Sequence, residues 1–199
     1  MKKHKPADSI QDIQYFGEYG GVNPSIADSS TFTYLAGKTM EEVFGGERDG
    51  CYLYSRHMNP STGYLAEAIS NMENTEAAQV AASGMGAITS VLLQICGAGD
   101  HMVSSRTIYG GTYAFMKNFL PKLNISTSFV NTTDLEAIES AIIPATKLIY
   151  CETMSNPLLE IADIKAISEI AKKHNLKLVV DNTFTPLVFS PKEMGADVV

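Results

Sequence analysis

From about residue 59 to the end of the chain, short apolar runs alternate with stretches in which apolar residues recur every three or four positions. Leu65, Ala68, Ile69 and Met72 show the second pattern, which is typical of a helix with one buried face. The predicted helices cover residues 61–72 (capped by Ser61 or Thr62), 87–95, 110–120 (stopped by Pro121), 134–142 and 163–173. The predicted strands cover residues 77–82, 101–104, 125–130, 147–151, 177–180 and 197–199.

Strands that alternate with helices are typical of βαβ units, so we expect an α/β fold with a mainly parallel sheet. In such folds ligands bind at the carboxyl ends of the strands. Residues 1–58 differ, because their periodicity is weak and only residues 52–56 resemble a strand. A segment that cannot form its own core usually lies on another surface, often that of a second subunit. We therefore predict an extended arm over residues 1–58.

Composition narrows the class of protein. The 199 residues are 45 % hydrophobic and 19 % charged, which suffices for one core without disulfides or metals. A net charge of −7 disfavours nucleic-acid binding, and no apolar run approaches the roughly 20 residues of a membrane span. Cys51, Cys96 and Cys151 have no metal-ligand spacing, so we expect reduced thiols, no metal site and a cytoplasmic protein.

A glycine-containing segment, Ser83-Gly84-Met85-Gly86, lies between a predicted strand and a predicted helix. Glycines let the backbone approach a ligand, and the N–H groups and dipole of a helix start attract phosphate. The alternative is a tight turn between strand and helix. A dinucleotide fingerprint would need Gly or Ala where Thr89 stands, so NAD is disfavoured.

Asp181 directly follows an apolar strand. A carboxylate at that edge of the sheet is costly to desolvate unless it meets a cation or a protonated ring nitrogen. The alternative is an Asp that caps the loop after it through the loop's own backbone. The sequence around Asp181 leaves both interpretations open.

The remaining candidate ligand-binding residues are weak evidence singly and become stronger evidence only together. Tyr109 could stack on a flat ligand or be a tyrosine at the edge of the core. Tyr54 and Arg56 would share one face of a strand, where Arg could bind phosphate or form a surface salt bridge. Asn156 offers a donor and an acceptor in a turn fixed by Pro157, or it belongs to a plain turn.

In their order and spacing, five segments closely resemble the Cys/Met-metabolism family of fold-type I pyridoxal-phosphate (PLP) enzymes. The segments are Tyr54-Ser55-Arg56-His57-Met58-Asn59-Pro60, Ser83-Gly84-Met85-Gly86-Ala87-Ile88, Tyr109-Gly110-Gly111-Thr112, Glu152-Thr153-Met154-Ser155-Asn156-Pro157 and Asp181-Asn182-Thr183. The resemblance covers nearly the whole chain. It implies a three-layer large domain whose N-terminal part is residues 59–199, preceded by an arm, residues 1–58, that contacts a neighbouring subunit.

The resemblance also implies how PLP would be held. Ser83 and the amides of Gly84 and Met85 would bind the phosphate, with help from Tyr54 and Arg56 of the neighbouring subunit. The catalytic unit would then be a homodimer, and we expect a homotetramer.

Two residues would act on the cofactor ring and are expected to be catalytic. Tyr109 would stack on the ring, and Asp181 would pair with the ring nitrogen and keep it protonated. Asn156 would lie near the phenolic oxygen or the substrate carboxylate, and Thr183 would complete the cofactor site.

The family's lysine that bonds the cofactor follows the strand beginning at Asp197, and this sequence ends before it. Lys192 does not match, because Pro191 and Glu193 flank it. We therefore expect a sheet that stops before its end, without the small C-terminal domain. A noncatalytic fragment is the alternative, and a nicotinamide-dependent oxidoreductase is the alternative suggested by the βαβ pattern alone.

Gly111 bears on the choice of reaction within the family. Members that cleave methionine typically carry Cys there, whereas sulfhydrylases resemble this Tyr-Gly-Gly-Thr form. We therefore expect γ-replacement, in which O-acetylhomoserine and sulfide, or a sulfide donor, give homocysteine and acetate. The alternatives are methionine γ-lyase, cystathionine γ-synthase and cystathionine lyase.

Overall fold

Four parallel strands form the sheet at the centre of this computed structural model, which describes residues 5–11, 20–48 and 50–199. The strands are β1 (His101–Ser105), β2 (Ser126–Val130), β3 (Thr146–Glu152) and β4 (Lys177–Asp181), in the order β2-β1-β3-β4. Val198 adds a single parallel bridge to Val179, so the strand predicted at 197–199 is present only as one bridge. The predicted α/β class and parallel sheet are confirmed.

Seven α-helices are found in the described ranges. They are α1 (Pro6–Gln11), α2 (Gly37–Phe44), α3 (Pro60–Glu73), α4 (Gly84–Ile95), α5 (Gly110–Ala114), α6 (Leu135–Ser140) and α7 (Ile164–Lys173). After α5 the chain forms a π-helical turn, Phe115–Phe119, and a 3₁₀ turn, Leu120–Leu123. Pro121 does not stop this helical stretch, because it lies in the first turn of the 3₁₀ segment, where its missing N–H has no partner to lose.

Side chains that alternate along β3 divide the core into two layers. Ile149 and Cys151 pack with α6 and α7 on one face, whereas Leu148 and Tyr150 pack with α4 and the segment after α5 on the other. Because both faces are covered, β3 and β4 each contain an apolar run, residues 148–151 and 178–180. This arrangement is the expected three-layer architecture.

Two predicted strands are wrong. Residues 77–82 form no strand in the described part of the chain, and their side chains are exposed or only partly buried. Within residues 52–56, Tyr54 forms a single antiparallel bridge to Thr31, and a turn follows at residues 55–57. In both cases the local composition suits a strand, but the continuous pairing that a strand needs does not form.

Two helix starts also differ from the prediction. The side chain of Asn59, not Ser61 or Thr62, caps α3 by accepting from Ser61 N at 2.8 Å. α4 begins three residues earlier than expected, because Ser83 Oγ accepts from Gly86 N at 3.0 Å and starts the helix at Gly84.

The segment predicted as an arm exposes several large apolar side chains. Val22, Ile26, Leu35 and Phe44 are exposed, and α2 buries no residue. Residues 1–4, 12–19 and 49 of the predicted arm lie outside the described residues. That the arm contacts another subunit stays a prediction. Across the described ranges, no helix is long and apolar enough to cross a membrane.

Candidate functional site

A cavity of about 390 Å³ opens at the carboxyl ends of β3 and β4, beside the start of α4. This is the edge at which parallel α/β sheets bind ligands. Its volume lies within the roughly 300–1,000 Å³ typical of small-molecule sites. The lining residues are Ser83, Gly84, Met85, Ile88, Tyr109, Glu152, Met154, Asn156, Asp181, Thr183 and Phe184.

The N-terminus of α4 forms one wall of the cavity. Gly84 and Met85 are the first helical residues, so their N–H groups have no acceptor within the helix. A Cβ built on Gly84 would meet nothing within 4 Å, whereas one on Gly86 would lie 3.1 Å from Ser83 Oγ. Gly84 therefore leaves space for a ligand, while Gly86 allows the close cap by Ser83.

Tyr109 reaches the cavity from the loop between β1 and α5. Its ring is about half exposed, and its backbone N–H donates to Glu152 Oε1 at 2.7 Å. A Cβ on Gly111 would lie 2.6 Å from Tyr109 Cε1 and 3.1 Å from Met85 Sδ. The absence of a side chain at Gly111 thus lets the Tyr109 ring occupy its present position.

Asp181 caps the loop after it, which is one of the two interpretations that its sequence left open. Oδ1 accepts from the backbone N–H of Thr183 at 3.0 Å and also from the Thr183 hydroxyl, so it caps the following turn. Oδ2 accepts from the Tyr150 hydroxyl at 3.4 Å. One oxygen of the carboxylate fixes the loop, and the other is held by one long hydrogen bond at the wall of the cavity.

The turn after Asp181 is anchored from below by Asn182, which is buried. Its amide donates to Glu73 Oε1 at 2.9 Å and to the Phe189 carbonyl at 3.0 Å. Its Oδ1 accepts from the Thr185 hydroxyl at 2.6 Å. These bonds tie the end of α3 to the loop that presents Asp181.

Burial raises the pKa of Glu152, and the neighbouring Asp181 raises this pKa further, while backbone N–H donors from Tyr109 and Asn156 lower it. Burial also raises the pKa of Tyr150, and the carboxylates of Asp181 and Glu152 act in the same direction. Tyr150 is therefore a neutral hydroxyl donor. The cavity wall carries two adjacent carboxylates, which suits a ligand with a protonated nitrogen.

Seven of the nine predicted site residues line this one cavity: Ser83, Gly84, Met85, Tyr109, Asn156, Asp181 and Thr183. Tyr54 and Arg56 do not line it. They lie together instead, with the Arg56 guanidinium carbon 5.0 Å from the centre of the Tyr54 ring. They meet across a turn, and not on the strand face that the sequence suggested.

Four lining residues were missed as site residues: Ile88, Glu152, Met154 and Phe184. Glu152 carried a usable signal, because an acidic residue ends an apolar strand there just as Asp181 ends the next one. The two residues are paired in register across β3 and β4. Ile88 and Phe184 have no comparable signal, since their apolar side chains also suit a core.

A family model described as "Cys/Met metabolism PLP-dependent enzyme" matches residues 9–199. Methionine gamma-lyase of Arabidopsis thaliana is 46 % identical over 200 residues, which cover 98 % of this chain and 45 % of that protein. Cystathionine beta-lyase MetC of Staphylococcus haemolyticus is 41 % identical, covering 100 % and 49 %. The chain spans about half the length of the curated relatives it matches.

Solved structures show the same fold. A crystal structure described as an O-acetylhomoserine (thiol)-lyase of Campylobacter jejuni, with a pyridoxyl-lysine monophosphate, superposes with a TM-score of 0.91 at 29 % identity. It matches 98 % of this chain and 49 % of that one. The metB structure from Corynebacterium glutamicum gives 0.87 at 32 %, covering 99 % of this chain and 50 % of that one.

Proposed function

This chain belongs to the Cys/Met metabolism family of PLP-dependent enzymes, and we propose that its cavity holds PLP for reactions at the γ-carbon of amino acids. The observation that carries the proposal is the convergence of four separate segments on one cavity. Ser83, Tyr109, Asn156 and Asp181 come from these segments and line it together.

The residues present fit the cofactor. A phosphate needs N–H donors and positive potential, and the start of α4 offers both beside the open space at Gly84. A protonated pyridine nitrogen needs a carboxylate, and Oδ2 of Asp181 lies at the cavity wall. A flat ring needs an aromatic face, which the half-exposed Tyr109 provides.

In this proposal each residue has a definite task. The amides of Gly84 and Met85 bind the phosphate, and Ser83 keeps the helix start in place. Asp181 holds a proton on the ring nitrogen, while Thr183 and Tyr150 fix its carboxylate. When bound, PLP supplies an electron sink for bonds breaking at the substrate's α-carbon.

The proposed catalytic unit is a dimer in which Tyr54 and Arg56 of one subunit reach the phosphate of the other. Both lie away from the cavity of their own chain, and the arm that carries them exposes apolar side chains. Mixing an Arg56→Ala protein with a Tyr109→Ala protein should restore activity in hybrid sites. If mixtures prepared by joint refolding show no recovery, the shared site is wrong.

Removal of the group at the γ-carbon of methionine is the first candidate reaction. Its support is the sequence similarity: methionine gamma-lyases of Arabidopsis thaliana and Treponema denticola are 46 % and 40 % identical to this chain. The substrate class is then an amino acid with sulfur on its γ-carbon.

Replacement of the acetate of O-acetylhomoserine by sulfide is the second candidate reaction, and Gly111 favours it. A methionine-cleaving member with Cys at this position would need the Tyr109 ring to shift, because a Cβ would lie only 2.6 Å from it. The Campylobacter jejuni structure described as an O-acetylhomoserine (thiol)-lyase supports the same choice.

One experiment separates the two. The natural polypeptide that carries this chain is purified with PLP and supplied with methionine, or with O-acetylhomoserine and sulfide. Release of α-ketobutyrate and methanethiol from methionine supports elimination, and formation of homocysteine supports replacement. An Asp181→Asn variant serves as the control. If neither product forms and no PLP is bound, the proposed function is wrong.

A further inference from the structure

Two loops at the carboxyl edge carry residues proposed to hold PLP, and neither loop is a regular element. Tyr109 lies between β1 and α5, and Asn156 lies between β3 and α7. Loops place a side chain less rigidly than helices or strands do, so a site on loops needs supporting contacts. Tyr109 and Asn156 therefore need contacts that hold their loops in place.

One buried carboxylate joins the two loops. Glu152 is the last residue of β3, and its Oε1 accepts from Tyr109 N at 2.7 Å. The backbone N–H of Asn156 also favours the charged form of this carboxylate and lowers its pKa. Glu152 is 9 % exposed and lines the cavity beside Asp181, its register partner on β4.

A carboxylate in this position is otherwise unfavourable. It is buried, it lies next to a second carboxylate, and both conditions raise its pKa. The N–H of Tyr109 offsets part of that cost, because a hydrogen bond to a charged group is stronger than one between neutral groups. A neutral side chain would avoid the cost of burying a charge here. The presence of a carboxylate therefore indicates that its hydrogen bond to the Tyr109 loop matters for the site.

We propose that Glu152 is a positioning residue, which ties the loop of Tyr109 to the end of β3 and so fixes the Tyr109 ring where it meets the cofactor. This inference rests on the proposed function, since it specifies how the PLP site is built. Glu152 acts through its hydrogen bond to the backbone N–H of Tyr109. Replacing it should therefore change how PLP is oriented and not only how stable the protein is.

Glu160 provides a matched control. It also links the same two loops, since its Oε2 accepts from the Thr107 hydroxyl at 2.9 Å. It does not line the cavity and touches neither Tyr109 nor Asn156 through a described hydrogen bond. Glu160→Ala thus removes one acidic link between the loops and leaves the Tyr109 N–H paired.

The test uses the natural PLP-bound polypeptide and two readouts besides turnover. Equilibrium binding gives the PLP affinity, and the induced circular dichroism of bound PLP at saturation reports its orientation. Glu152→Ala should weaken PLP binding about tenfold and change the induced signal, whereas Glu160→Ala should leave both within about twofold. Glu152→Gln keeps one acceptor oxygen and should disturb folding less. Its PLP affinity and induced signal should lie between those of wild type and Glu152→Ala.

A double-mutant cycle tests the route through Tyr109. In a Tyr109→Ala background, Glu152→Gln should change PLP affinity by less than about twofold. If its effect persists in full there, Glu152 does not act through Tyr109. If both Glu152 variants keep wild-type affinity and induced signal, the positioning role is wrong. A wild-type protein that binds no PLP overturns the proposed function and this inference together.

Discussion

The polar side chains at the two ends of the four-stranded sheet differ in their hydrogen bonding. At the amino ends, buried His101 is paired on both ring nitrogens, with Thr146 Oγ1 at 2.8 Å and Ser128 Oγ at 3.0 Å. Asp197 there accepts from Leu178 N and from Lys177 Nζ, each at 2.9 Å. The polar groups at this end pair with one another.

At the carboxyl ends, polar groups are only partly paired and face a cavity. Asp181 uses Oδ1 for its own turn and holds Oδ2 at the cavity wall, and the ring of Tyr109 is about half exposed. The pairing of His101 and Asp197 at the amino ends contributes to stability. Partial pairing at the carboxyl ends leaves capacity for a ligand, so substitutions at the two ends should affect different measurements.

The largest effect is expected for Asp181→Asn. The amide keeps an oxygen for the Thr183 N–H, so the turn remains, but the charge that pairs with a protonated ring nitrogen is lost. PLP affinity should fall about 100-fold, which corresponds to about 2.7 kcal/mol. The free energy of unfolding without PLP should change by less than about 1 kcal/mol in urea titrations.

Asp197→Asn is the control for that result at the other end of the sheet. It removes a carboxylate that is bonded to the backbone and to Lys177, and it lies outside the cavity. It should lower stability slightly and leave PLP affinity unchanged. Equal losses of PLP affinity in Asp181→Asn and Asp197→Asn would contradict the division between the two ends.

His101→Ala should show the opposite pattern. It leaves a cavity and removes the partner of the Thr146 and Ser128 hydroxyls, so the free energy of unfolding should fall by about 2 kcal/mol. PLP affinity of the folded protein should stay within about twofold. A His101→Ala protein with normal stability and weak PLP binding would show that the amino ends influence the site directly.

Ser83→Ala should have a mixed and smaller effect, because Ser83 both caps α4 and lines the cavity. Loss of the cap should cost about 1 kcal/mol of stability and weaken PLP binding severalfold. Asp134→Ala removes the equivalent cap of α6, where Asp134 Oδ1 accepts from Ala137 N at 3.0 Å, away from the cavity. Stability should fall similarly there without a change in PLP affinity.

The sequence predicted the strands and the carboxyl edge of the sheet, because these depend on local patterns. β3 and β4 each contain an apolar run, and the acidic residue that follows it, Glu152 or Asp181, marks the carboxyl edge. Residues 77–82 show the limit, because their composition suits a strand while pairing depends on a distant partner. Asp181 was found as a site residue, yet its division into one capping oxygen and one oxygen at the cavity wall required coordinates.

Long-range contacts account for what the sequence did not reveal. Glu152 and Tyr109 are 43 residues apart, and Glu73 and Asn182 are 109 apart. Nothing near Glu152 in the sequence shows that its carboxylate accepts a backbone N–H from another loop. The resemblance to the family supplied the residues of the proposed cofactor site, whereas the supporting residues around them follow from the fold.

The smallest expected effect is the pH dependence contributed by His101 at the amino ends. Burial lowers the pKa of His101 below its usual value of 6.5, and its partners are the neutral hydroxyls of Thr146 and Ser128. The unfolded chain therefore takes up a proton at a higher pH than the folded protein does. The stability contributed by neutral His101 is fully present above about pH 6.5 and is lost as the pH falls through the lower folded value.

Urea unfolding at pH 7.5 and 5.5 measures this effect. The free energy of unfolding should decline at the lower pH in wild type and decline less in His101→Gln, which keeps polar partners without titrating. If both proteins decline equally, His101 does not titrate in this way, and the pairing at the amino ends contributes no pH dependence.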